Sequence, residues 1–348
     1  MWWWLFLGGP RWRGVDGLLA WYDGHRRELP WRGDSDPYRV LVSEIMLQQT
    51  RVATVLARYG PWLERFPTVH ALAAASEEAV MAAWSGLGYY RRARALHAAA
   101  RYVAAHGWPP DAAALQALSG VGAYTAAAVA SISFGEAVPA IDGNALRVLS
   151  RVADIPLDVT TAAGRRAVDA VARRAMAADR PGDWNQAVMD LGATVCTPTP
   201  RCDDCPLACL ARQRGTAAAR PVRPARRAAQ REDAAFAYLQ HRQRVLLVRR
   251  PAGLLAGTWS LPGGPGAVAE LEALVRQQTG LEARLDSTSA ASLQHVFTHR
   301  VWQATVMRGV ATAPAEPHSD ARWFALEGLD EVGLSTFARR AIAAAQRM

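Results

Sequence analysis

The fold of the first half of this chain is decided by the stretch Leu118–Thr125, which reads LSGVGAYT. Its two glycines, Gly120 and Gly122, enclose one valine between two stretches of helical character. Glycine lets backbone N–H groups approach a phosphate closely, and the N-terminus of the helix that follows carries a partial positive charge. The pattern therefore indicates an anion-binding hairpin between two helices. An ordinary tight turn has the same sequence features, so this stretch alone leaves both interpretations open.

The residues around this hairpin predict an all-α domain. Asp36 and Pro37 suit the N-cap and first turn of a helix that we expect to continue to about Tyr59. On that helix Glu44 and Gln48 share one face, because they are four residues apart. Further helices are expected near residues 76–84, 90–106, 111–118, 124–133, 144–153, 163–178 and 183–195.

The composition changes after residue 214. Residues 215–232 contain five arginines and two prolines but almost no large apolar side chain, which is typical of a linker. From residue 233 onward, short apolar stretches predict strands at 236–239, 245–248 and 301–306, and a helix at about 267–279. We therefore expect four parts: an N-terminal tail (1–14), a helical domain (15–214), the linker (215–232) and a mixed α and β domain (233–348).

The overall composition indicates a globular protein with two cores. The chain has 348 residues, of which 51% are hydrophobic and 20% are charged, whereas a typical domain has about 150 residues. No apolar run reaches the roughly 18 residues that cross a bilayer, and the longest candidate is Trp2–Leu7. The start of the chain lacks the features of a secretion signal, so we expect a cytoplasmic protein without membrane contact.

All 40 basic side chains of the chain are arginine, and the sequence contains no lysine. Arginine stays protonated and binds phosphate through two hydrogen bonds at once. Lysine, by contrast, is the side chain that forms Schiff bases with sugar aldehydes. The composition therefore excludes any mechanism in which a lysine amine is the nucleophile.

All four cysteines lie in one short segment, at Cys196, Cys202, Cys205 and Cys209. A disulfide framework would distribute its cysteines along the chain, so this clustering indicates a metal site in a reducing compartment. Four thiolates bind either a tetrahedral zinc ion or a 4Fe-4S cluster. The residues alone leave the choice between these groups open.

Asp142 follows Gly120 by 22 residues and begins another predicted helix, where an aspartate is by itself an ordinary N-cap. The hairpin, this aspartate and the cysteines beyond it together resemble the helix-hairpin-helix DNA glycosylases of the endonuclease III type. Three further segments narrow the resemblance to the A/G-specific adenine DNA glycosylase family, namely Leu29–Arg32 (LPWR), Ser43–Thr50 (SEIMLQQT) and Gly86–Tyr90 (GLGYY). The resemblance implies an all-α glycosylase domain of two helical subdomains with an iron–sulfur loop, followed by an α+β Nudix-like domain.

The resemblance also implies the catalytic residues. Glu44 would protonate N7 of adenine and then activate water, and Asp142 would stabilise the cationic sugar or bond to it transiently. Such a pair follows the logic of glycoside hydrolysis by two carboxyl groups. Tyr124 and Asn144 match positions that form hydrogen bonds around the aspartate and the sugar. The lyase branch has a lysine at the position of Tyr124, so the resemblance implies hydrolysis by water that leaves an abasic site.

Other matching positions are expected to contact the DNA. An extruded base leaves a gap in the duplex that protein side chains must fill. Gln49 and Tyr89 would enter this gap beside Leu87, and Gln186 would read the edge of the adenine. The residues that the resemblance assigns to DNA or to the adenine pocket are Arg27, Trp31, Arg32, Gln48, Gln49, Thr50, Leu87, Tyr89, Gly120, Gly122 and Gln186.

The cysteine spacing departs from that of the family. The intervals between the cysteines contain five, two and three residues, and the first and last are shorter than is usual in the family by one and two residues. All four ligands are nevertheless present, so the resemblance implies a 4Fe-4S cluster with a structural role. Zinc and a degraded site are the alternatives.

The C-terminal domain contains Gly257–Gly264 (GTWSLPGG), which resembles the start of a Nudix box. A working box needs several glutamates on the next helix to bind magnesium, and this chain keeps only two there. Phosphohydrolase activity is therefore not expected. The resemblance implies a domain that recognises 8-oxoguanine through Phe297, Thr298 and His299, which we name the lesion loop. Phe297 would intercalate, and the other two would form hydrogen bonds with the lesion.

Together with the absence of lysine, the resemblance implies a monofunctional DNA glycosylase that removes adenine opposite 8-oxoguanine or guanine in double-stranded DNA and so initiates base excision repair. We expect it to act as a monomer in the cytoplasm, associated with the bacterial nucleoid when bound to DNA. One alternative is a pyrimidine-damage glycosylase with lyase activity, against which the absence of lysine and the second domain argue. The other alternative is a non-catalytic iron–sulfur protein that binds DNA.

Overall fold

The computed structural model describes residues 17–224, 229–251, 253–297, 299–311, 317–318, 320–329 and 332–347. The predicted N-terminal tail at residues 1–14 lies outside these ranges. The chain forms two compact units. The first unit contains the described parts of Met1–Gln48, Thr68–His70 and Ala98–Ala225, and the second contains those of Gln49–Pro67, Ala71–His97 and Arg226–Met348.

Helices dominate the described residues up to 224. Their bounds are α1 Leu18–His25, α2 Pro37–Leu47, α3 Val52–Arg65, α4 Val69–Ala74, α5 Glu77–Ala83, α6 Arg91–His106, α7 Ala112–Leu115, α8 Ala123–Ser133, α9 Gly143–Val152, α10 Ala162–Ala175, α11 Pro181–Thr194 and α12 Leu210–Gln213. The helices predicted between residues 76 and 195 correspond to α5–α11, so the all-α prediction is confirmed. Across the ranges that the structure describes, no helix is both long and apolar enough to cross a membrane.

One predicted helix is wrong in its extent. α2 begins as expected, because Oδ1 of Asp36 accepts a hydrogen bond from the backbone N–H of Tyr38 at 2.8 Å. It ends at Leu47 rather than near Tyr59. Gln48 leaves the helical conformation with a ψ of 111°, and Gln49 has a φ of 56°, a left-handed conformation that does not continue a right-handed helix. Helical periodicity does not reveal this break, since the residues on both sides of it favour helix.

The hairpin stretch leads directly into α8. Gly120 has a φ of 76°, a conformation that glycine adopts without steric cost. Gly122 is the N-cap of α8 and has no side chain with which to cap the helix. A Cβ atom built on Gly122 would meet no heavy atom within 4 Å. The backbone N–H groups at the start of α8 therefore border open space, as anion binding at this position requires.

α9 and α11 form the centre of the first unit. Their buried residues, among them Val148, Trp184 and Leu191, belong to one hydrophobic cluster, and α1 packs against α11 while α10 packs against α9. The two central helices approach closely at Gly192, where a Cβ atom would lie 2.7 Å from the Cβ atom of Asn144. This close approach positions the first turn of α9, which carries predicted catalytic residues.

The C-terminal part of the second unit is a seven-stranded sheet. Its strands are β1 Gln230–His241, β2 Arg244–Arg249, β3 Trp259–Ser260, β4 Gly263–Pro265, β5 Ala283–Val296, β6 Arg300–Ala311 and β7 Ala321–Ala325, and its helices are α13 Leu271–Thr279 and α14 Thr336–Gln346. The strand order is β3-β2-β1-β6-β5, with β4 paired to β1 and β7 paired to β2. β1 and β6 run parallel, and β5 and β6 run antiparallel.

The central strand β1 has a hydrophobic core on each of its faces, because successive side chains of a strand point to opposite sides. Phe236 and Tyr238 belong to the cluster that includes residues of α14. Ala235 and Ala237 belong to the cluster that includes residues of α13. The sheet is thus covered by one helix on each face.

β1 begins at Gln230, within the segment predicted to be the linker and before the predicted strand at 236–239. Its first residues are polar, so no apolar pattern marks them as a strand. Their backbone instead pairs with β6, starting with Gln230 opposite Arg300. Pairing with a strand that is distant in sequence therefore extends β1 beyond its apolar part.

We expect Gly192→Ala to lower the free energy of unfolding by about 1–3 kcal/mol, because the added methyl group would overlap Asn144. Chemical denaturation measures this change. The matched control is Gly24→Ala in α1, where a Cβ atom has open space. That substitution should be neutral or stabilise the protein by about 0.5 kcal/mol. Equal effects of the two substitutions would contradict the close approach of α9 and α11.

Candidate active site

α2 and α8 pack against each other and bring Glu44 and Tyr124 together in the first unit. The Tyr124 hydroxyl donates a hydrogen bond to Oε2 of Glu44 at 2.7 Å and lies 3.5 Å from the sulfur atom of Met189. Only 7% of Glu44 is exposed. Two of the predicted catalytic side chains, the buried Glu44 and the half-buried Tyr124, therefore form one hydrogen-bonded pair.

Burial raises the pKa of Glu44 above its ordinary value of 4.5. The hydrogen bond from Tyr124 and the positive charge of Arg32 lower this pKa, and the negative charge of Asp142 raises it, but desolvation is the largest effect. Glu44 therefore keeps its proton to a higher pH than an exposed glutamate does, as a general acid requires. Burial also raises the pKa of Tyr124 well above its ordinary value, so its hydroxyl remains a hydrogen-bond donor.

Asp142 caps the N-terminus of α9 at the same site. Its Oδ1 accepts a hydrogen bond from the backbone N–H of Ala145 at 2.6 Å, and its Oδ2 accepts one from Nδ2 of Asn144 at 2.9 Å. Burial raises the pKa of Asp142, although these hydrogen bonds oppose the shift. Because the charge of Asp142 acts on both Glu44 and Tyr124, the four predicted catalytic residues share one environment.

Arg147 connects this site to the cysteine segment. Its Nη2 donates to Oδ1 of Asn144 at 2.9 Å and to the carbonyl oxygen of Gly192 at 2.7 Å. Its Nε donates to the carbonyl oxygen of Cys196 at 2.7 Å. A continuous path of hydrogen bonds thus runs from Asp142 to the first cysteine. Sequence reasoning misses Arg147, and the available signal is its position three residues after Asn144 on the same helix face.

A second buried polar cluster surrounds Asp190 on α11. Oδ1 of this fully buried carboxylate accepts hydrogen bonds from Nη2 of Arg27 at 2.6 Å and from Nη2 of Arg32 at 2.7 Å. Nη1 of Arg32 also donates to Oε1 of Gln186, and the neighbouring Trp31 is buried. The structure thus joins two of the predicted substrate residues, Arg27 and Arg32, through one carboxylate. Arg32 links a third, Gln186, to this pair. Sequence reasoning misses Asp190, although it lies four residues after Gln186 on the same helix.

Gln48 is the C-cap of α2 and contacts α8. Its Nε2 donates a hydrogen bond to Oγ1 of Thr125 at 3.2 Å. Thr125 lies in the first turn of α8, directly after the exposed hairpin glycines Gly120 and Gly122. Gln48 therefore ties the end of α2 to the helix that the hairpin begins.

The second unit contains the remaining predicted DNA contacts of the helical region. Nη2 of Arg92 donates to Oγ1 of Thr50 and to the carbonyl oxygen of Leu87, both at 3.0 Å. The guanidinium carbon of Arg92 lies 5.4 Å from the ring centroid of Tyr89. Tyr89 is 40% exposed, and both Tyr89 and Gln49 have positive φ angles, of 47° and 56°. Arg92, which sequence reasoning misses, therefore joins the two loops that carry these residues.

All four cysteines line a common cavity in the first unit. Nη1 of Arg151 donates to Sγ of Cys196 at 3.4 Å, and Sγ of Cys209 donates to the Arg151 carbonyl oxygen at 3.2 Å. Burial raises the pKa of the Cys205 and Cys209 thiols, and the other cysteines raise it further. Four thiolates in one cavity repel one another unless a bound metal group compensates their charge. The cysteines therefore fit a metal group.

The four cysteines line this cavity together. Among the described residues, no three His, Cys, Asp or Glu side chains lie in a group that could hold a single metal ion.

Two residues of the lesion loop, Phe297 and His299, lie between β5 and β6. The ring centroid of Phe297 lies 4.8 Å from that of Trp302 and 4.6 Å from that of His295. His299 is exposed. Thr298 lies outside the described residues. The ring of Phe297 therefore packs against one aromatic ring from β5 and one from β6.

The helix that follows the Nudix-like segment is α13. Oε1 of Gln278 accepts a hydrogen bond from the backbone N–H of Gly263 at 2.8 Å, and its Nε2 donates to the carbonyl oxygen of the same glycine at 3.2 Å. Oε1 of Glu272 accepts one from the backbone N–H of Leu285 at 3.0 Å. These two side chains therefore stabilise the backbone of neighbouring segments.

Known proteins match both parts of the chain. The family model of the HhH-GPD superfamily base excision DNA repair proteins matches residues 42–173, and a NUDIX domain model matches residues 234–344. The adenine DNA glycosylase of Mus musculus is 36% identical over 389 residues, which cover 92% of this chain and 75% of that protein. The adenine DNA glycosylase of Mycobacterium tuberculosis is 44% identical over 205 residues, which cover 57% of this chain and 67% of that protein. The solved structure of a thermostable thymine-DNA glycosylase is 26% identical, has a TM-score of 0.52, and covers 57% of this chain and 95% of its own.

The fold, the site and these matches define a base excision DNA repair protein of the HhH-GPD superfamily with a C-terminal Nudix domain. The predicted fold class is therefore confirmed. The match to the mouse protein extends over most of both chains. This chain belongs to the adenine DNA glycosylase family.

The raised pKa of Glu44 predicts how stability depends on pH. Between the ordinary value of 4.5 and the higher folded value, the folded state binds more protons than the unfolded state, so the unfolding free energy falls as the pH rises. The uncharged Glu44→Gln variant avoids this loss. We expect this variant to be more stable than the wild type at neutral pH. The difference in unfolding free energy between the two proteins should become smaller as the pH falls below 4.5.

Chemical denaturation between about pH 4 and pH 8 measures this dependence. The matched control is Glu64→Gln, which removes an exposed carboxylate and should change stability little across the range. A Glu44→Gln variant that is less stable than the wild type at neutral pH would contradict the desolvated state of Glu44.

Proposed function

We propose that this chain is a monofunctional adenine DNA glycosylase that hydrolyses the N-glycosidic bond of adenine paired with 8-oxoguanine or guanine in double-stranded DNA. The observation that carries the proposal is the buried Glu44, which accepts a hydrogen bond from Tyr124 and lies within electrostatic reach of Asp142. Family membership supports adenine as the base that is removed. The reaction would initiate base excision repair.

Adenine has to leave the duplex before it reaches a buried carboxyl group. Extrusion of a nucleotide costs a few kcal/mol, and the gap in the base stack has to be filled. Gln49, Leu87 and Tyr89 would fill it, since Arg92 fixes the loop that presents the exposed Tyr89 ring. The backbone N–H groups after Gly122 would hold a phosphate of the same strand.

The adenine pocket would be formed by the cluster around Asp190. Oε1 of Gln186 is engaged by Arg32, so the Gln186 amide would present its N–H donors to the acceptor nitrogens of adenine. Asp190 holds both Arg27 and Arg32 in place. Trp31, which is buried beside them, would pack against the base.

In the first chemical step, protonated Glu44 gives its proton to N7 of adenine. The electron pair of the C1′–N9 bond moves into the purine, and adenine leaves as a neutral base. The sugar becomes an oxocarbenium-like cation, which the Asp142 carboxylate stabilises through its charge or through a transient bond. Asn144 and the backbone N–H of Ala145 orient this carboxylate.

In the second step, Glu44 is a carboxylate and accepts a proton from water while the water oxygen bonds to C1′. Glu44 ends the cycle protonated, as it began, and the product is an abasic site with a hydroxyl group on C1′. The chain contains no lysine that could form a Schiff base with the opened sugar. The DNA strand therefore remains intact.

Recognition of the partner base would fall to the lesion loop. Phe297 would insert beside the 8-oxoguanine, and Thr298 and His299 would form hydrogen bonds with it. The rings of His295 and Trp302 support this role, since the ring of Phe297 packs against both of them. Domain boundaries at 15–214, 215–232 and 233–348, a monomeric state and a cytoplasmic location belong to the same proposal.

The four cysteines would hold a 4Fe-4S cluster. When bound, the cluster compensates the charge of the thiolates and cross-links a loop that has little other structure. The chain's own contribution is made by Arg151, which donates to Sγ of Cys196 and to the carbonyl oxygens of Thr197 and Pro198. Arg147 then links the backbone of Cys196 to Asn144.

Single-turnover excision on duplexes with adenine opposite 8-oxoguanine tests the proposed reaction. We expect Glu44→Gln to reduce base excision by at least about 10²–10⁴-fold, the usual contribution of a general acid. Binding to the duplex should change little, because the substitution keeps the shape of the side chain. In the wild type, strand breaks should appear only after treatment with heat and alkali.

The control is Glu64→Gln, which should retain both excision and binding. Excision by Glu44→Gln at the wild-type rate would refute the assignment of the acid. Strand scission before alkali treatment would instead favour a lyase, and binding by the wild type without base loss would favour a non-catalytic DNA-binding protein.

The metal content of the purified protein tests the cofactor. We expect about four iron atoms per chain, together with the visible absorbance of an iron–sulfur cluster. Cys205→Ser should lower the iron content, because it removes one of the four thiolates that line the cavity. One zinc ion per chain, measured in the same samples, would contradict the cluster.

A further inference from the structure

A buried contact joins residues 84–90, which we name the Tyr89 loop, to the segment that precedes α14 in the second unit. The backbone carbonyl of Leu334 accepts hydrogen bonds from the hydroxyl groups of Ser85, at 3.4 Å, and Tyr90. Nε and Nη2 of Arg339 on α14 both donate to Oγ of Ser85, at 3.0 and 2.8 Å. Leu334, Ser85 and Tyr90 are all buried. The contact is therefore shielded from water. A hydrogen bond is stronger in such an interior environment than it is in water.

Arg94 makes a second contact between the same parts of the second unit. Its Nη1 donates to the carbonyl oxygen of Ala256 at 3.1 Å, and its Nε donates to Glu77 at 2.8 Å. The guanidinium group occupies the space in which a side chain at Gly257 would lie. Two separate contacts thus hold the helical segment against the sheet domain, so the Tyr89 loop is anchored to that domain.

Aromatic rings connect α14 to the lesion loop. The ring of Phe337 packs against those of Trp302 and His295, with centroids 5.4 and 5.5 Å away. The ring of Phe297 packs against the same two rings at 4.8 and 4.6 Å. Phe337 and Trp302 are buried, and Phe337 lies two residues before Arg339. Because close-packed rings cannot move independently, α14 must accommodate any displacement of Phe297.

The Tyr89 loop holds a strained backbone. Tyr89 has a φ of 47°, which residues other than glycine rarely adopt. Arg92 donates to the carbonyl oxygens of Leu87 and Gly88 and stacks on the rings of Tyr89 and Trp84. Strain of this kind persists only where the surroundings enforce it. The contact with the sheet domain supplies part of that enforcement, because it holds both ends of the loop.

We propose that α14 couples the lesion loop to the Tyr89 loop, and that Ser85, Tyr90 and Arg339 are positioning residues for the discrimination between 8-oxoguanine and guanine opposite adenine. The proposal rests on the proposed function of this chain. A lesion that contacts Phe297 would displace the aromatic rings packed against it. The hydrogen bonds of Arg339 on α14 and of the Leu334 carbonyl just before α14 would transmit this displacement to the Tyr89 loop. Because guanine lacks the 8-oxo group, this coupling contributes less to the excision of adenine opposite guanine.

Tyr90→Phe tests the coupling in the full-length protein, because it removes one hydroxyl group and keeps the ring. Single-turnover excision of adenine opposite 8-oxoguanine should fall about fivefold, the size expected for one net hydrogen bond, whereas excision opposite guanine should change less than about twofold. The matched control is Tyr102→Phe, which removes the same atom from a tyrosine that is 44% exposed and should change neither rate. An equal loss of both rates, or no loss, overturns the proposal.

A double-mutant cycle tests the path itself. In the wild-type background, Phe297→Ala should reduce the preference for 8-oxoguanine. In the Tyr90→Phe background, Phe297→Ala should reduce this preference by a smaller factor, because the contacts between Phe297 and the Tyr89 loop are already interrupted. If Phe297→Ala reduces the preference for 8-oxoguanine by the same factor in both backgrounds, the two residues act separately, and the coupling is overturned.

Hydrogen exchange distinguishes failure of this proposal from failure of the proposed function. If the wild type removes adenine from neither duplex, the proposed function fails, and the coupling is then measured in the free protein. Phe297→Ala should accelerate amide exchange in the Tyr89 loop, and Tyr102→Phe should not. Unchanged exchange in the Tyr89 loop of Phe297→Ala overturns the coupling, whatever the activity of the protein.

Discussion

The burial of one carboxyl group, that of Glu44, is the constraint on which the rest of the site depends. Removing a carboxylate from water opposes its ionisation, and here desolvation outweighs the opposing effects of Tyr124 and Arg32 on the pKa. Such a group decreases the stability of the fold at neutral pH. An apolar residue would be more stable at this position between α2 and α8, so Glu44 is present at a cost in stability. Asp142 adds a second carboxyl group in the same environment, and its orientation comes from the first turn of α9.

An arginine-only composition explains how distant segments are held around that site. A guanidinium group has five donors in a planar arrangement, so it can bind several carbonyl oxygens at once, whereas an ammonium group is a single point of charge. Arg147 and Arg151 use this property to connect α9 with the cysteine segment, and Arg92 uses it to join two loops of the second unit. These cross-links hold separate backbone segments together. The same composition removes the amine that strand cleavage through a Schiff base would need.

The second unit shows that the order of the sequence and the organisation of the structure are different. It contains helical residues from the first half of the chain together with the C-terminal sheet. Buried hydrogen bonds to the Leu334 carbonyl make the Tyr89 loop part of the same compact body as the lesion loop. A division of the chain at the linker therefore describes the order of the sequence motifs. The compact units are divided differently, because the second unit also contains residues from the first half of the chain.

The sequence by itself determined the fold class, the positions of α5–α11 and the family, because these depend on local periodicity, on glycine conformation and on the spacing of motifs. It also indicated Glu44, Tyr124, Asp142 and Asn144 as a set, and their roles remain predictions. Only the tertiary structure decided that α2 ends at Leu47, that β1 begins at Gln230, and that Asp190, Arg147 and Arg92 hold the predicted residues in place. Each of these features depends on a partner that is distant along the chain, as Cys196 is from Arg147 and Thr50 is from Arg92, or on the backbone angles of Gln48 and Gln49. A local pattern of residues carries no information about such a partner, since the same arginine or aspartate would serve equally well on a solvent-exposed surface.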